Sequence, residues 1–431
     1  MSELVDLTID TIKSNDFPEL GLGIDKIYPH YRGYSISNIP SSICKWLGVA
    51  QLGKDTLAPE LHNQFIQQFD HVIFLLIDGM GLNFFQNFQN NDPEQYPGIA
   101  SWKRILPEGT LATLTSVVPS TTSSALTTLW TGRTPAEHGI IGFELWLKEY
   151  SLVANMIHHS AASFNGDNGG LNRTGFYAQS FLPVSTLGSY LKRHDIRSFA
   201  FQPSAITHSG LSNMLLQGAH LIPYRTQTDL WVSLENHMHA HKSSPTLNYV
   251  YCSELDTLGH LYGPSNERLK LEFSNMSILI ERFINRMRSI RKSKILFVMT
   301  ADHGQIDTPK NPEMNLINHP KLMDALTIKP TGENRFTYLY NHPGMLNLVT
   351  DYVSNKWKGL FNVIPAEEIL KSGLLGPGKI HRTTRERAGD LIVIPNENVY
   401  WWWVDKENLM LGRHGGLSPE EMLVPFFTTV L

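Results

Sequence analysis

The sequence is poor in cysteine, in long apolar runs and in surplus charge, and each scarcity closes off a class of protein. Two cysteines in 431 residues, Cys44 and Cys252, stand far apart in apolar surroundings, which leaves no disulfide framework and no CxxC motif. Both read as buried free thiols. No stretch of 18 apolar residues occurs, so no membrane-spanning helix and no membrane partner are expected. The opening MSELVDLTIDTIKSND is amphipathic and acidic and lacks the basic and apolar regions of a signal peptide, which points to the cytoplasm. Lys and Arg number 36 against 40 Asp and Glu, for a net charge of -4. Basic residues gather only near Arg291 and Arg382, a pattern that disfavours a binder of duplex nucleic acid.

What is present is a soluble globular composition, 42% hydrophobic and 18% charged, with 18 histidines. HVIFLLI (71–77) is a short β-branched run ending in DGMG, and reads as a central strand that delivers a carboxylate at its carboxyl edge. LNYVYC (247–252) before SELD and KILFVMT (294–300) before ADHG repeat the arrangement. Helical patterns lie between, in SSALTTLW, in STLGSYLKRH and in the long SNERLKLEFSNMSILIERFINRMRSI. The alternation predicts an α/β fold, a sheet covered on both faces with all three acidic motifs on its ligand-binding rim. One domain is expected over 1–431, with 321–387 as a small α+β cap insertion. GDLIVIP and VPFFTTVL read as returning strands, 155–180 as loops over the site, and the tryptophans 401–403 as a strand against the cap.

Taken singly, the motifs are weak. Asp78 could simply close a turn. Asp256 and His260, four apart in LDTLGHLYGP, could share a cation or serve a helix cap. ADHG supplies Asp302 and His303 at a strand end, and GRHGG sets His414 among glycines, which allow close backbone approach to an ion or phosphate. Together, three Asp and three His in Gly-containing turns match the mixed oxygen and nitrogen donors that two borderline cations need. PSTTSSALTTLWTGRTPAEHGIIGF adds a hydroxyl-rich turn entering a helix, a place that favours an anion or, more plainly, an N-cap.

The order DG, PSTT with TGxxPxxHGI, LDxxGHxxGP, ADHG and GxHGG, from Asp78 to His414, resembles the type I phosphodiesterase/nucleotide pyrophosphatase branch of the alkaline phosphatase superfamily. The resemblance implies an alkaline phosphatase-like core, a large mostly parallel sheet between helices. It also implies two divalent metal ions, Zn2+ first and Mn2+ second. Asp78, Thr122, Asp302 and His303 would hold one, and Asp256, His260 and His414 the other. Thr122 would be the nucleophile, three residues after Pro119 and nine before Thr131, as in the family's motif. A CxPSR-like sulfatase motif is missing. The chain departs from the pattern at Ala125, where nucleotide pyrophosphatases carry an Asn that helps hold a phosphate oxygen, and Asn83 and the Ser123 amide are the candidate replacements. The implied activity is hydrolysis of phosphate diesters, on small-molecule nucleotides and possible cyclic or linear dinucleotides, through a phosphothreonine. A phosphomonoesterase is the alternative, and a catalytically silent metal-stabilised binding module the minor one.

Overall fold

Every residue of the strand β1 (His71–Ile77) is buried, as a run of Val, Ile, Phe and Leu requires of a strand covered on both faces. It is the middle of a seven-stranded sheet whose other members are β2 (Thr110–Thr115), β3 (Arg197–Pro203), β4 (Ala219–Tyr224), β5 (Thr246–Cys252), β6 (Ile295–Thr300) and β7 (Leu423–Val430). The strand order is β2-β7-β6-β1-β5-β3-β4. β1 runs parallel to both β5 and β6, and β3 is parallel to β5 and β4, while β7 lies antiparallel between β6 and β2. The carboxyl ends of β6, β1 and β5 are thus neighbours, and the chain leaves each of them into an acidic motif. The computed structural model describes residues 3–23, 25–62, 68–163, 167–241, 244–289 and 293–431. The basic stretch at Arg291, the last residue of the long helical pattern and residues 164–166 of the expected loop region lie outside these.

Two groups of helices flank the sheet: Gly98–Ile105, Gln227–Ala240 and Glu267–Arg288 pack together, as do Ile39–Trp46, Thr122–Thr131 and Gly210–Leu215. No helix among the described residues is long and apolar enough to cross a membrane. Cys44 and Cys252 are free and buried.

Segment 321–387 supplies Thr331–Glu333, Phe336–Leu339 and Phe361–Pro365, with the helix Leu346–Lys356, to a second sheet that reaches beyond it. That sheet also takes Glu144–Leu147, Leu152–Asn155 and Ser160–Ala161, so the expected loop region begins as strand. Leu391–Pro395 pairs here as well, with Phe336–Leu339 and Phe361–Pro365, and only Leu423–Val430 of the two returning strands joins the main sheet. Trp401–Trp403 is not a strand. It forms one isolated bridge, Asn315 to Trp402, and its rings fill a separate core with Val349, Trp357 and Phe361.

The helix Thr122–Thr131 is buried on every side although six of its ten residues are Ser or Thr. Three of its hydroxyls are absorbed by backbone: Ser123 donates to the Gly142 carbonyl, and Thr127 and Thr131 donate to the carbonyls four residues earlier. Gly132 ends it in the left-handed conformation, where a Cβ would also strike the Leu52 carbonyl. The short helix that follows carries His138, whose ring meets Thr128 Oγ1 at 3.1 Å and accepts from the Ile140 amide. Burial, with Arg387 nearby, lowers its pKa from 6.5 to about 3.

A neutral His138 gives acid sensitivity of defined sign. Its folded pKa lies below its unfolded one, so its contribution is complete above pH 6.5 and is lost as pH falls toward 3. Urea unfolding at pH 7 and pH 5 should show a loss of about 2 kcal/mol from this group. The loss should shrink in His138→Gln, and an equal loss in wild type and variant would refute the assignment.

Candidate active site

Three carboxylates and three imidazoles meet at the carboxyl ends of β6, β1 and β5. Asp78 follows β1 directly and is 2% exposed; Asp302 and His303, just past β6, are fully buried. Asp256 and His260 sit one turn apart on the helix Glu254–Tyr262 after β5. His414 follows a two-residue strand, Gly412–Arg413, that pairs with Ile306–Asp307 just beyond the Asp302–His303 turn. Ligand atoms of Asp78, Asp302 and His303 lie within 4.8 Å of one another, as do those of Asp256, His303 and His414. His260 stands beside the second group, its Nε2 3.3 Å from Asp256 Oδ1.

The carboxylates lack the hydrogens that burial would demand. Asp78 Oδ1 and Asp302 Oδ2 are buried and meet no hydrogen-bond partner. Burial, together with Asp302 and Asp256, raises the pKa of Asp78 well above the carboxylate range, and burial raises that of Asp302. Tyr251 donates its hydroxyl to Asp78 Oδ2, and Asp302 Oδ1 accepts the amides of Gly79 and His303.

All three histidines are held in one orientation. His303 Nδ1 faces the Gly304 carbonyl at 3.0 Å, His260 Nδ1 the Gly412 carbonyl at 2.9 Å, and His414 Nδ1 the Ser120 carbonyl at 3.0 Å. A carbonyl accepts only, so each Nδ1 carries a hydrogen and each Nε2 is the ring nitrogen turned toward the carboxylates. Burial, with His303 and His260 near, holds His414 well below its usual pKa and therefore neutral. His303 Nε2 lies 3.5 Å from Asp78 Oδ1 and from Asp302 Oδ2, and His414 Nε2 3.8 Å from Asp256 Oδ1. At these distances an Nε2 and a carboxylate oxygen can share one cation, and this donor set of Asp oxygens and His Nε2 fits a divalent ion such as zinc or manganese.

Thr122 opens the helix beside this cluster, and its Oγ1 lies 3.1 Å from His303 Nε2. Thr121, the N-cap, does not cap with its side chain; it donates its hydroxyl to Glu333 Oε1 at 2.6 Å. The first-turn amides, that of Ser123 among them, have no carbonyl within the helix to bind and remain available to an anion. The Ser123 hydroxyl itself is spent on the Gly142 carbonyl.

Thr122, Asp78 and Asp256 line a cavity of about 190 Å³ with Leu126, Trp130 and Tyr251. Trp130 packs edge-on against Tyr249, and Ala125 is buried away from the cavity. Asn83 is placed elsewhere. The helix Leu82–Gln89 carries it to a separate, larger cleft of about 640 Å³ with Phe84, where its Nδ2 lies 3.4 Å from Glu420. A turn at Asp78–Gly79 and the helix that begins at Leu82 set it there.

Four residues near the site had no motif to announce them: Tyr251, Gln305, Glu333 and Arg335. Tyr251 and Gln305 do stand next to acidic motifs in the chain, and that adjacency was the one available signal. Arg335 makes a buried two-pronged ion pair with Glu421 at 2.7 and 2.9 Å, and Glu421 also accepts the Gly416 amide. The pair anchors the turn that presents His414.

A family profile for type I phosphodiesterase/nucleotide pyrophosphatase matches residues 72–417. The chain belongs to this family. Solved structures of similar fold include murine ectonucleotide pyrophosphatase/phosphodiesterase 5, at 17% identity and a TM-score of 0.60 over 83% of this chain and 87% of that one. An inactive threonine-to-alanine variant of the murine protein, in complex with AMP, matches at 16% identity and a TM-score of 0.59 over the same shares. Phosphonoacetate hydrolase from Sinorhizobium meliloti 1021, in complex with phosphonoformate, matches at 18% identity and 0.58, over 83% of this chain and 89% of that one. No relative among curated proteins matches the sequence. As a member of the family the chain is a phosphoric ester hydrolase of the nucleotide pyrophosphatase/phosphodiesterase type, with an alkaline phosphatase-like fold.

The crowding of Asp78 and Asp302 has a measurable consequence. In metal-free protein, Asp302→Asn should raise stability by about 1 kcal/mol, because an amide can donate across to the unpartnered Asp78 oxygen. The same change should remove the rise in melting temperature that zinc or manganese gives the wild type. Thermal unfolding with and without metal reads both, and a variant that is less stable without metal yet still stabilised by it would contradict the account.

Proposed function

We propose that this protein hydrolyses phosphate diesters of small nucleotides in the cytoplasm, with Thr122 as nucleophile and two divalent cations as cofactors. The supporting observation is the shared orientation of His260, His303 and His414, which ties each Nδ1 to a backbone carbonyl and turns three Nε2 atoms on one carboxylate cluster beside the Thr122 hydroxyl. Asp78, Asp302 and His303, with Thr122, would hold one cation, and Asp256, His260 and His414 the other. Zinc suits the donors best and manganese is next. When bound, such ions lower the pKa of a coordinated hydroxyl or water and offset charge on the phosphoryl oxygens.

The chain's own groups account for the remaining steps. Thr122 Oγ1 stands 3.1 Å from His303 Nε2, so the two atoms would hold the same cation, and the threonine proton would pass to solvent. The first-turn amides of the helix Thr122–Thr131 receive a non-bridging phosphate oxygen. Thr122 Oγ1 forms its bond to phosphorus as the ester oxygen opposite departs. A water then cleaves the phosphothreonine and restores the hydroxyl. The wall formed by Leu126, Trp130 and Tyr251 borders the group carried on the phosphorus. The AMP bound by the murine neighbour's inactive variant and the phosphonoformate bound by phosphonoacetate hydrolase both present an anionic phosphorus group, which supports a substrate of that kind.

A phosphomonoester is the second reading. It is favoured by Ala125, which is buried and brings no donor to the oxygen that an Asn would bind.

Zinc- or manganese-loaded protein should be assayed on cyclic and linear dinucleotides, nucleoside triphosphates, sugar nucleotides and monoesters, with p-nitrophenyl phosphate compared to its thymidine diester. The diesters are expected to turn over faster. Thr122→Ala should lower kcat by about 10³-fold or more, and chelation should abolish turnover. Wild-type rates in Thr122→Ala or in chelator would sink the mechanism, faster monoester turnover would select the second reading, and silence across the panel would indicate a binding module.

A further inference from the structure

Gln305 follows Asp302-His303-Gly304 in the chain, yet its side chain belongs to the neighbouring half of the site. Its Nε2 donates to Asp256 twice, to the carboxylate Oδ1 at 2.5 Å and to the backbone carbonyl at 3.1 Å. Two acceptors face that nitrogen, so the orientation of the amide is determined by its partners. The residue is only 6% exposed, and its Oε1 is buried with no hydrogen-bond partner. An unpartnered buried carbonyl is a cost that ordinary packing avoids, and here it accompanies a fork closed on one carboxylate.

The helix opposite is shaped to admit this amide. Gly259 lies on Glu254–Tyr262 between Asp256 and His260, and a Cβ there would come within 1.7 Å of Gln305 Oε1. Gly259 is an ordinary helical residue, so its lack of a side chain serves the approach of Gln305 and not a turn. Asp256 Oδ1, the oxygen that Gln305 holds, is also the atom nearest His260 Nε2 and His414 Nε2, at 3.3 and 3.8 Å.

We propose that Gln305 is a positioning residue that fixes the Asp256 carboxylate against His260 and His414 and ties the Asp302–His303 turn to the helix bearing the second cation's ligands. The inference rests on the reading of Asp256 as a ligand. By this account the amide sets the rotamer of Asp256 before a cation binds, and it couples the spacing of the two halves through a residue that touches neither cation nor substrate.

Zinc binding to full-length metal-free protein, measured by calorimetry and chelator competition, tests this together with kcat and KM. Asp256→Asn should lose one of two zinc equivalents. Gln305→Ala and Gly259→Ala should each weaken that same equivalent by about 10- to 100-fold while the other keeps its affinity. Gln305→Glu, which sets a carboxylate against the Asp256 oxygens, should be worse than Gln305→Ala. The metal-free melting temperature of Gly259→Ala should fall no further than that of Gln305→Ala, since the three atoms nearest its Cβ all belong to the Gln305 amide and alanine favours a helix. At saturating zinc, kcat should recover in Gln305→Ala and Gly259→Ala with KM unchanged. Wild-type affinity for both equivalents in Gln305→Ala and Gly259→Ala, with one lost in Asp256→Asn, would overturn the positioning role and leave the ligand reading standing. If Asp256→Asn itself binds two equivalents as wild type does, the ligand reading and this inference fall together.

Discussion

Asp78 and Asp302 stand side by side in the interior at the ends of adjacent strands, with Asp256 close by, and water does not screen their charge. An uncompensated cluster of this kind strongly opposes folding with all three ionised. The surroundings are arranged to relieve it only in part. Tyr251 gives one hydrogen to Asp78, two amides serve Asp302, and the Gln305 amide serves Asp256, while two buried oxygens are left without a partner. The histidines turn Nδ1 to backbone carbonyls on the far side of each ring and leave Nε2 facing the carboxylates. Burial relieves part of the charge by raising the pKa of Asp78 and Asp302, and the same Nε2 and carboxylate atoms form two candidate cation-binding groups.

That constraint gives the rest of the architecture its purpose. Parallel pairing of β5, β1 and β6 puts three strand ends in register, so loops of a few residues bring carboxylates from positions 78, 256 and 302 together. The second sheet acts from the other side. Arg335 holds Glu421 under the turn that carries His414, and Glu333 draws away the Thr121 hydroxyl that would otherwise cap the helix Thr122–Thr131. Two side chains from one short stretch therefore act on the placement of His414 and on the open end of that helix.

The legible parts were those in which neighbours in sequence are neighbours in space. Apolar runs ending in DG, SELD and ADHG read as buried strands with acidic ends, and β1, β5 and β6 lie within a residue of the expected bounds. Asp78, Asp256, His260, Asp302, His303 and His414 were visible as turn residues of metal-binding type, and the structure gathers them with Thr122. The illegible parts were assembled from distance. The second sheet takes strands from 144–161, 331–365 and 391–395, so no local period could announce which of them pair. Trp401–Trp403 has strand composition without a strand's partners, and its burial comes from rings placed by Val349, Trp357 and Phe361. Asn83 was a plausible donor by proximity to Asp78, but a glycine turn followed by a helix sends it toward Glu420.

By itself the sequence determined the chemistry on offer: which residue types stand at strand ends, and in what order they come along the chain. Hydrophobic runs choose the buried strands, and a residue directly after such a strand has little freedom to go elsewhere. The tertiary structure decided how that chemistry is aimed. The orientation of two of the three histidines depends on a carbonyl supplied by another segment, Gly412 for His260 and Ser120 for His414. The two unpartnered carboxylate oxygens exist because packing excludes the water that would have met them. Both are consequences of atoms hundreds of residues apart coming within 3 to 4 Å, and contacts of that kind leave no mark on local sequence pattern.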